Sequence, residues 1–214
     1  MIKGVLFDMD GVLADSEQFI CSAAVEMFRE LGYIVKREDF KPFTGTGENR
    51  YLGGVAEKYG VHADMEKMKS RTYEIYGELV KGTLLPLPGA REFVGRCRRK
   101  GFRLALATSA DRIKMDMSLR EIGIPPETFD SIVTGLDVVN KKPAPDIYLK
   151  AAENIGLSPD ECLVVEDAVS GVSAGKAAGC RCLAVTTSFP AKMLADADWI
   201  TDSLGNVPED ALNW

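Results

Sequence analysis

The chain opens on a short apolar run, Lys3 to Phe7, closed by Asp8 and Gly11. Brief apolar runs bounded by turn residues predict a buried strand. The period then changes. Phe19, Ile20, Ala23, Ala24, Met27, Phe28 and Leu31 recur at helical spacing behind Ser16, which is placed to cap them, and Gly32 stops the run. Further helix is predicted over 49–59 and 63–80, after the loop "PFTGTGEN", so that 15–81 reads as helical throughout. From "GTLLPLPG" (82–89) onward the chain alternates. Helices over 90–100, 112–122, 145–155 and 171–178 precede the runs "FRLALAT", "SIVTG", "CLVVED" and "RCLAVTT". Alternation of this kind predicts a parallel sheet with helices on both faces. The expected fold is therefore α/β, a Rossmann-like core of residues 1–14 and 85–214 with an inserted all-α segment, 15–84. "GTLLPLPG" and the residues after Leu13 would be the two hinge strands, and Thr201–Trp214 an edge strand with a closing turn.

Composition narrows the function classes. Of 214 residues 46% are hydrophobic, enough for a sizeable core, and 26 basic against 32 acidic residues leave a net charge of −6. Nucleic acid is thereby disfavoured as a partner. No run reaches membrane-spanning length and the first residues lack a signal pattern, so a cytoplasmic protein is expected; the expected state is a monomer. Five cysteines without a C-x-x-C pair read as buried hydrophobes, with Cys180 and Cys182 on one face of a strand. His62 is the single histidine, which argues against a zinc site. Lys58, Lys67, Lys69 and Arg71 read as a solvated helix face.

The polar residues at the strand ends carry the chemistry. Asp8 and Asp10 come after the first strand, Thr108 and Ser109 after the second, Lys142 after the third, and Glu166 and Asp167 after the fourth. In a parallel sheet all of these lie at the carboxyl edge, where such folds bind ligands. Four carboxylates would meet one lysine there. Two like charges about 4 Å apart repel by roughly 4 kcal/mol at an effective dielectric near 20, so the cluster would protonate in part or hold a cation. Oxygen ligands without histidine favour Mg2+. Unaided phosphate monoester hydrolysis is slow enough that enzymes accelerate it by up to ~10²¹. A carboxylate nucleophile, a second carboxylate for the proton, a metal and a lysine divide that task.

With these residues in order the chain resembles the haloacid dehalogenase superfamily phosphatases of the β-phosphoglucomutase-like group. Its motifs stand as "DMDGV", "ATS", "KPAPD" and "VEDAVSG". The resemblance implies Asp8 as nucleophile and Asp10 as general acid/base, with Thr108 and Lys142 assisting and Ser109 beside the substrate. It implies Mg2+ held by Asp8, the Asp10 carbonyl and Asp167, with Glu166 beside or behind it. It also implies a small phosphorylated metabolite as substrate, met by Thr46, Gly47 and Glu48 of an inserted helical cap. That cap is similar to the phosphatase-like domain of the plant suppressor of quenching proteins. Two positions depart from the sugar phosphomutases of the group: Ile20 stands where they carry a histidine and Glu48 where they carry an arginine. An acid there would repel a distal phosphate, so a phosphatase is expected over a phosphomutase; the complete motif set argues against the other alternative, a weakly active metabolite-binding module. Arg50 and Arg71 are the neighbouring cations that could stand in for the arginine.

Overall fold

The computed structural model describes residues 1–214. Six strands form one parallel sheet in the order β3-β2-β1-β4-β5-β6. They are β1 (Gly4–Phe7), β2 (Arg103–Ala107), β3 (Ser131–Val133), β4 (Cys162–Glu166), β5 (Arg181–Val185) and β6 (Trp199–Thr201). The strands alternate strictly between two apolar layers. Val5, Phe7, Leu104, Leu106, Leu163, Val165, Leu183 and Val185 face one core. Leu6, Ala105, Ala107, Val133, Val164, Cys182 and Ala184 face the other. Such near-continuous apolar runs are what a sheet covered on both sides requires.

Helices α4 (Ala90–Arg99) and α5 (Arg112–Glu121) cover the first face; α6 (Asp146–Asn154) and α7 (Val169–Ala177) cover the second. Between β1 and β2 the chain inserts α1 (Glu17–Glu30), α2 (Glu48–Tyr59) and α3 (Met65–Val80). These bury Phe28, Phe40, Tyr51 and Leu52 in a core continuous with the first sheet face, and α3 rests against α5. The two crossing segments meet: Ala14 bridges Pro86 antiparallel, and the Leu87 N–H donates to the Leu13 carbonyl at 2.9 Å. No helix is long and apolar enough to cross a membrane.

The topology fixes where a ligand can bind. β1 is central, and the chain winds from it first toward β3 and later toward β6. The carboxyl end of β1 therefore lies at the switch point, where open α/β sheets form their crevice. Asp8 is the first residue beyond that end.

Four expectations need correcting. Residues 31–47 are not helical throughout; they contain only two short turns, Arg37–Asp39 and Lys41–Phe43. Ser16 precedes α1 but makes no side-chain cap, because its hydroxyl donates to Asp10 instead. The final strand is Trp199–Thr201, and the chain ends beyond it in two short 3-10 turns, Leu204–Asn206 and Glu209–Leu212. Lys69 is not solvated; it is buried on α3 and pairs with Asp111 at 3.1 Å. His62 is exposed, and all five cysteines are buried thiols.

Candidate active site at the carboxyl edge of the sheet

Asp8 is anchored by its own backbone, whose N–H donates to the Val165 carbonyl at 3.0 Å. The residue is 7% exposed. Carboxylate oxygens of Asp8, Glu166 and Asp167 come within 4.8 Å of one another. At that separation each like-charged pair repels by roughly 3–4 kcal/mol at an effective dielectric near 20. One cation offsets this. Lys142 Nζ donates to Asp8 Oδ1 at 2.6 Å, to Glu166 Oε1 at 2.7 Å and to the Ala107 carbonyl at 3.3 Å.

Glu166 is fully engaged. Its Oε1 also accepts from the Tyr148 hydroxyl at 2.8 Å, and Oε2 accepts the N–H groups of Asp167 (2.9 Å) and Ala168 (3.0 Å). Two glycines permit the crowding. A Cβ at Gly171 would collide with the Glu166 carboxylate, and one at Gly11, whose φ is +78°, with that of Asp167. Gly11 thus satisfies both a left-handed backbone and a close approach.

This geometry sets the proton affinities. Burial pushes the Asp8 carboxyl up to about 7, Lys142 opposing and Glu166 and Asp10 reinforcing. Burial, then Glu166 and Asp8, hold Asp167 well above the usual carboxylate range. Burial would raise Glu166 too, but the charge and hydrogen bond of Lys142 and the Ala168 and Tyr148 donors hold it below that range. Burial disfavours the charged form of Lys142, yet Asp8 and Glu166 outweigh it and keep the ammonium protonated.

A second cluster lies across the cleft. Asp10 accepts from Ser16 on one oxygen and from Lys114 Nζ at 2.7 Å on the other. Lys114, buried on α5, also stands 4.0 Å from Glu48 Oε1, at the first turn of α2. Glu17 and Tyr51 complete this side, with Thr44 donating to Glu17 at 3.2 Å. Thr44, Gly45, Gly47 and Glu48 bring the inserted segment's loop over the cleft.

Of the residues chosen from sequence, Asp8, Asp10, Ser109, Lys142, Glu166, Asp167, Gly47 and Glu48 all line this one cleft. Thr108 does not. It is buried at the end of β2, and its Oγ1 accepts the Ala110 N–H at 3.1 Å. Nor does Thr46, whose hydroxyl donates to the Phe43 carbonyl at 2.6 Å; Thr44 lines the cleft in its place. Arg50 pairs with Glu57, and Arg71 with Glu30 and Glu74, and neither lines the cleft. The cation near Glu48 is Lys114, which sequence reading missed together with Glu17 and Tyr51. For Glu17 a signal existed, an acid in the first turn of a helix that begins beside "DMDGV".

The donor set fits a hard divalent cation. Asp8 and Asp167 offer carboxylate oxygens, and no backbone N–H claims the Asp10 carbonyl. Three buried carboxylates against one lysine leave two negative charges for an ion to offset. Glu166, with both oxygens taken, holds Lys142 and would stand behind such an ion rather than bind it.

The sequence matches the haloacid dehalogenase-like hydrolase family over residues 5–185, and the chain belongs to that family. It is 45% identical over 211 residues to the protein SUPPRESSOR OF QUENCHING 1, chloroplastic, of Arabidopsis thaliana, covering 96% of this chain and 20% of that protein. The chain thus spans about a fifth of that relative's length. It is 33% identical over 210 residues to hexitol phosphatase A of Escherichia coli, covering 96% of this chain and 93% of that one. The crystal structure of CbbY from Rhodobacter sphaeroides in complex with phosphate superposes with a TM-score of 0.89 at 29% identity, covering 100% of both chains.

The buried lysine yields a stability prediction. Lys142→Met leaves Asp8 and Glu166 facing each other without a cation, and metal-free protein should lose about 3–5 kcal/mol at pH 7.5. Both acids then take up protons more readily folded than unfolded, so the deficit should shrink as pH falls toward 5.5. Urea unfolding at the two pH values measures it; a deficit that is small at pH 7.5, or that grows on acidification, contradicts the assignment.

Proposed function

We propose that the chain is a Mg2+-dependent phosphatase that hydrolyses a small phosphorylated metabolite, of the sugar phosphate class, through an aspartyl-phosphate on Asp8. The observation that carries this is the state of Asp8. It is buried at the switch point with Lys142 on Oδ1 alone, so Oδ2 is free of hydrogen bonds, and Asp10 lines the same cleft two residues on. The name of the E. coli relative supports the substrate class.

Asp8 Oδ2 attacks phosphorus as the ester oxygen departs, and Asp10, which must enter this step protonated, gives that oxygen its proton. Water then attacks the aspartyl-phosphate, Asp10 takes the proton, and phosphate leaves with the Asp8 carboxylate restored. Lys142 orients Asp8 and neutralises charge on the equatorial phosphoryl oxygens. A bound Mg2+, held by Asp8, Asp167 and the Asp10 carbonyl, supplies further neutralisation there. Residues 15–84 serve as a cap over the core of 1–14 and 85–214, and the loop from Thr44 to Glu48 meets the rest of the substrate.

Hydrolysis is favoured over migration because Ile20 and Glu48 line the cleft where a mutase needs a proton carrier and a cation. Neither Arg50 nor Arg71 reaches it.

Asp8→Asn should abolish release of phosphate from a generic aryl phosphate while leaving the circular dichroism spectrum unchanged; turnover within tenfold of wild type would remove Asp8 from the nucleophile's role. Chelator should silence the wild-type enzyme and added Mg2+ restore it, whereas full activity in excess chelator contradicts the metal assignment. Given β-glucose 1-phosphate and a catalytic amount of the bisphosphate, the enzyme should release free phosphate. Accumulation of glucose 6-phosphate faster than free phosphate would make it a mutase, and absence of turnover with any ester would favour a binding module.

A further inference from the structure

The end of the cleft away from Asp8 is built to an unusual specification. Glu48 is 7% exposed, lines the cleft, and its Oε2 is buried without a hydrogen-bond partner. The Tyr51 hydroxyl, also lining the cleft, is buried beside Glu17 and Cys21 but makes no hydrogen bond of ordinary geometry to either. Unmet groups of this kind cost about 1–3 kcal/mol each and are rare enough to need a reason. Both belong to α2, within one turn of each other, and Glu17 of α1 adds a third polar group beside them.

The charge at this end is fixed by few residues. Glu17, Glu48 and Asp10 are the acids that line it, and Lys114 is the only cation: three negative against one positive, −2 formally. Lys114 is already held by Asp10 at 2.7 Å. Lys142 lies at the other end, between Asp8 and Glu166. A second phosphate, carrying about −1.5 to −2 at neutral pH, would meet this net negative end and could take a cation only by drawing Lys114 from Asp10 and Glu48. A hydroxyl meets neither obstacle. It donates to Glu48 Oε2 and accepts from the Tyr51 hydroxyl, satisfying both orphaned groups at once. Burial pushes the Glu48 carboxyl up to about 7, so it does not demand a full positive charge. Ile20 and Phe43 offer apolar surface to the carbon chain between.

We propose that Glu48, Glu17 and Tyr51 form a hydroxyl-reading subsite. It selects a phosphate monoester whose far end is an uncharged polyol and rejects bisphosphates. The proposal rests on the phosphatase reading for the orientation of the substrate.

The test separates the two. Wild-type release of phosphate from 4-nitrophenyl phosphate reports the phosphatase reading by itself. The subsite is read as binding, by calorimetry with Mg2+ on the full chain carrying Asp8→Asn, which holds ligand without consuming it. The probes are matched pairs of polyol and hexose monophosphates with their bisphosphates, from glycerol to hexitol length, and glucosamine 6-phosphate beside glucose 6-phosphate. At least one monophosphate should bind, and each that binds should do so at least about tenfold more tightly than its bisphosphate, a difference of about 1.4 kcal/mol. Adding Glu48→Arg should shift that ratio at least tenfold toward the bisphosphate, and Glu48→Gln, nearly isosteric, should shift it the same way by less. Equal or tighter binding of the bisphosphates, no binding of any monophosphate, a ratio unmoved by both Glu48 variants, or tighter binding of the amino sugar each overturns the proposal.

Discussion

One buried ammonium group holds this site together. Lys142 Nζ reaches Asp8, Glu166 and the carbonyl that ends β2, and so ties three strand ends to one point. Its position makes the concentration of carboxylates tolerable. Without it, Asp8 and Glu166 would face each other in a medium where like charges repel by several kcal/mol. Much of the local sequence serves this lysine. Tyr148 and two backbone N–H groups saturate the rest of Glu166, so the acid is spent on holding Lys142 rather than on solvent or substrate. Gly171 exists because a side chain would occupy the space of that carboxylate.

Functional demand overrides local helix chemistry at the other side of the cleft. Ser16 is placed to cap α1, a bond that typically contributes about 1 kcal/mol. Its hydroxyl turns to Asp10 instead. The same is true of Lys114, whose burial on α5 is costly unless paired and which is met by Asp10. Asp10 is thus oriented from both sides, by a hydroxyl of the inserted segment and an ammonium of the core. Departures from local rules are expected where a protein stores function, and here they converge on one carboxylate, Asp10.

The sheet was legible because burial on both faces writes itself as short apolar runs, and helices between those runs impose parallel order. The edge residues Asp8, Asp10, Lys142, Glu166 and Asp167 were legible for the same reason: a strand's end is visible in sequence, and parallel strands end together. The hidden residues depend on distances that sequence does not encode. Lys114 is 104 residues from Asp10, and in "RIKMDMSLRE" it looks like any solvated helix lysine. Lys69 was misread for the same reason, since its partner Asp111 belongs to a different helix's approach. The loop "TGTG" offers two threonines, and only the backbone decides between them. Gly45 at φ +77° and Gly47 at φ +85° turn Thr44 toward the cleft and leave Thr46 bonded to its own loop.

The exchange of a basic residue for Glu48 also looks different once Lys114 is known. From sequence it was a lost cation. In the fold, a cation is present at this end but belongs to the core rather than to the inserted segment. An arginine at position 48 would stand across the cleft from Lys114, and the two could approach only with an anion between them. A glutamate needs no anion: at the 4.0 Å separating Glu48 Oε1 from Lys114 Nζ, attraction between the two charges is about 4 kcal/mol at an effective dielectric near 20, less the cost of desolvating them. The sign of one side chain therefore changes what the inserted segment requires in order to sit against the core. With glutamate the requirement is met by the protein's own lysine, and Glu48 Oε2 and the Tyr51 hydroxyl are left over.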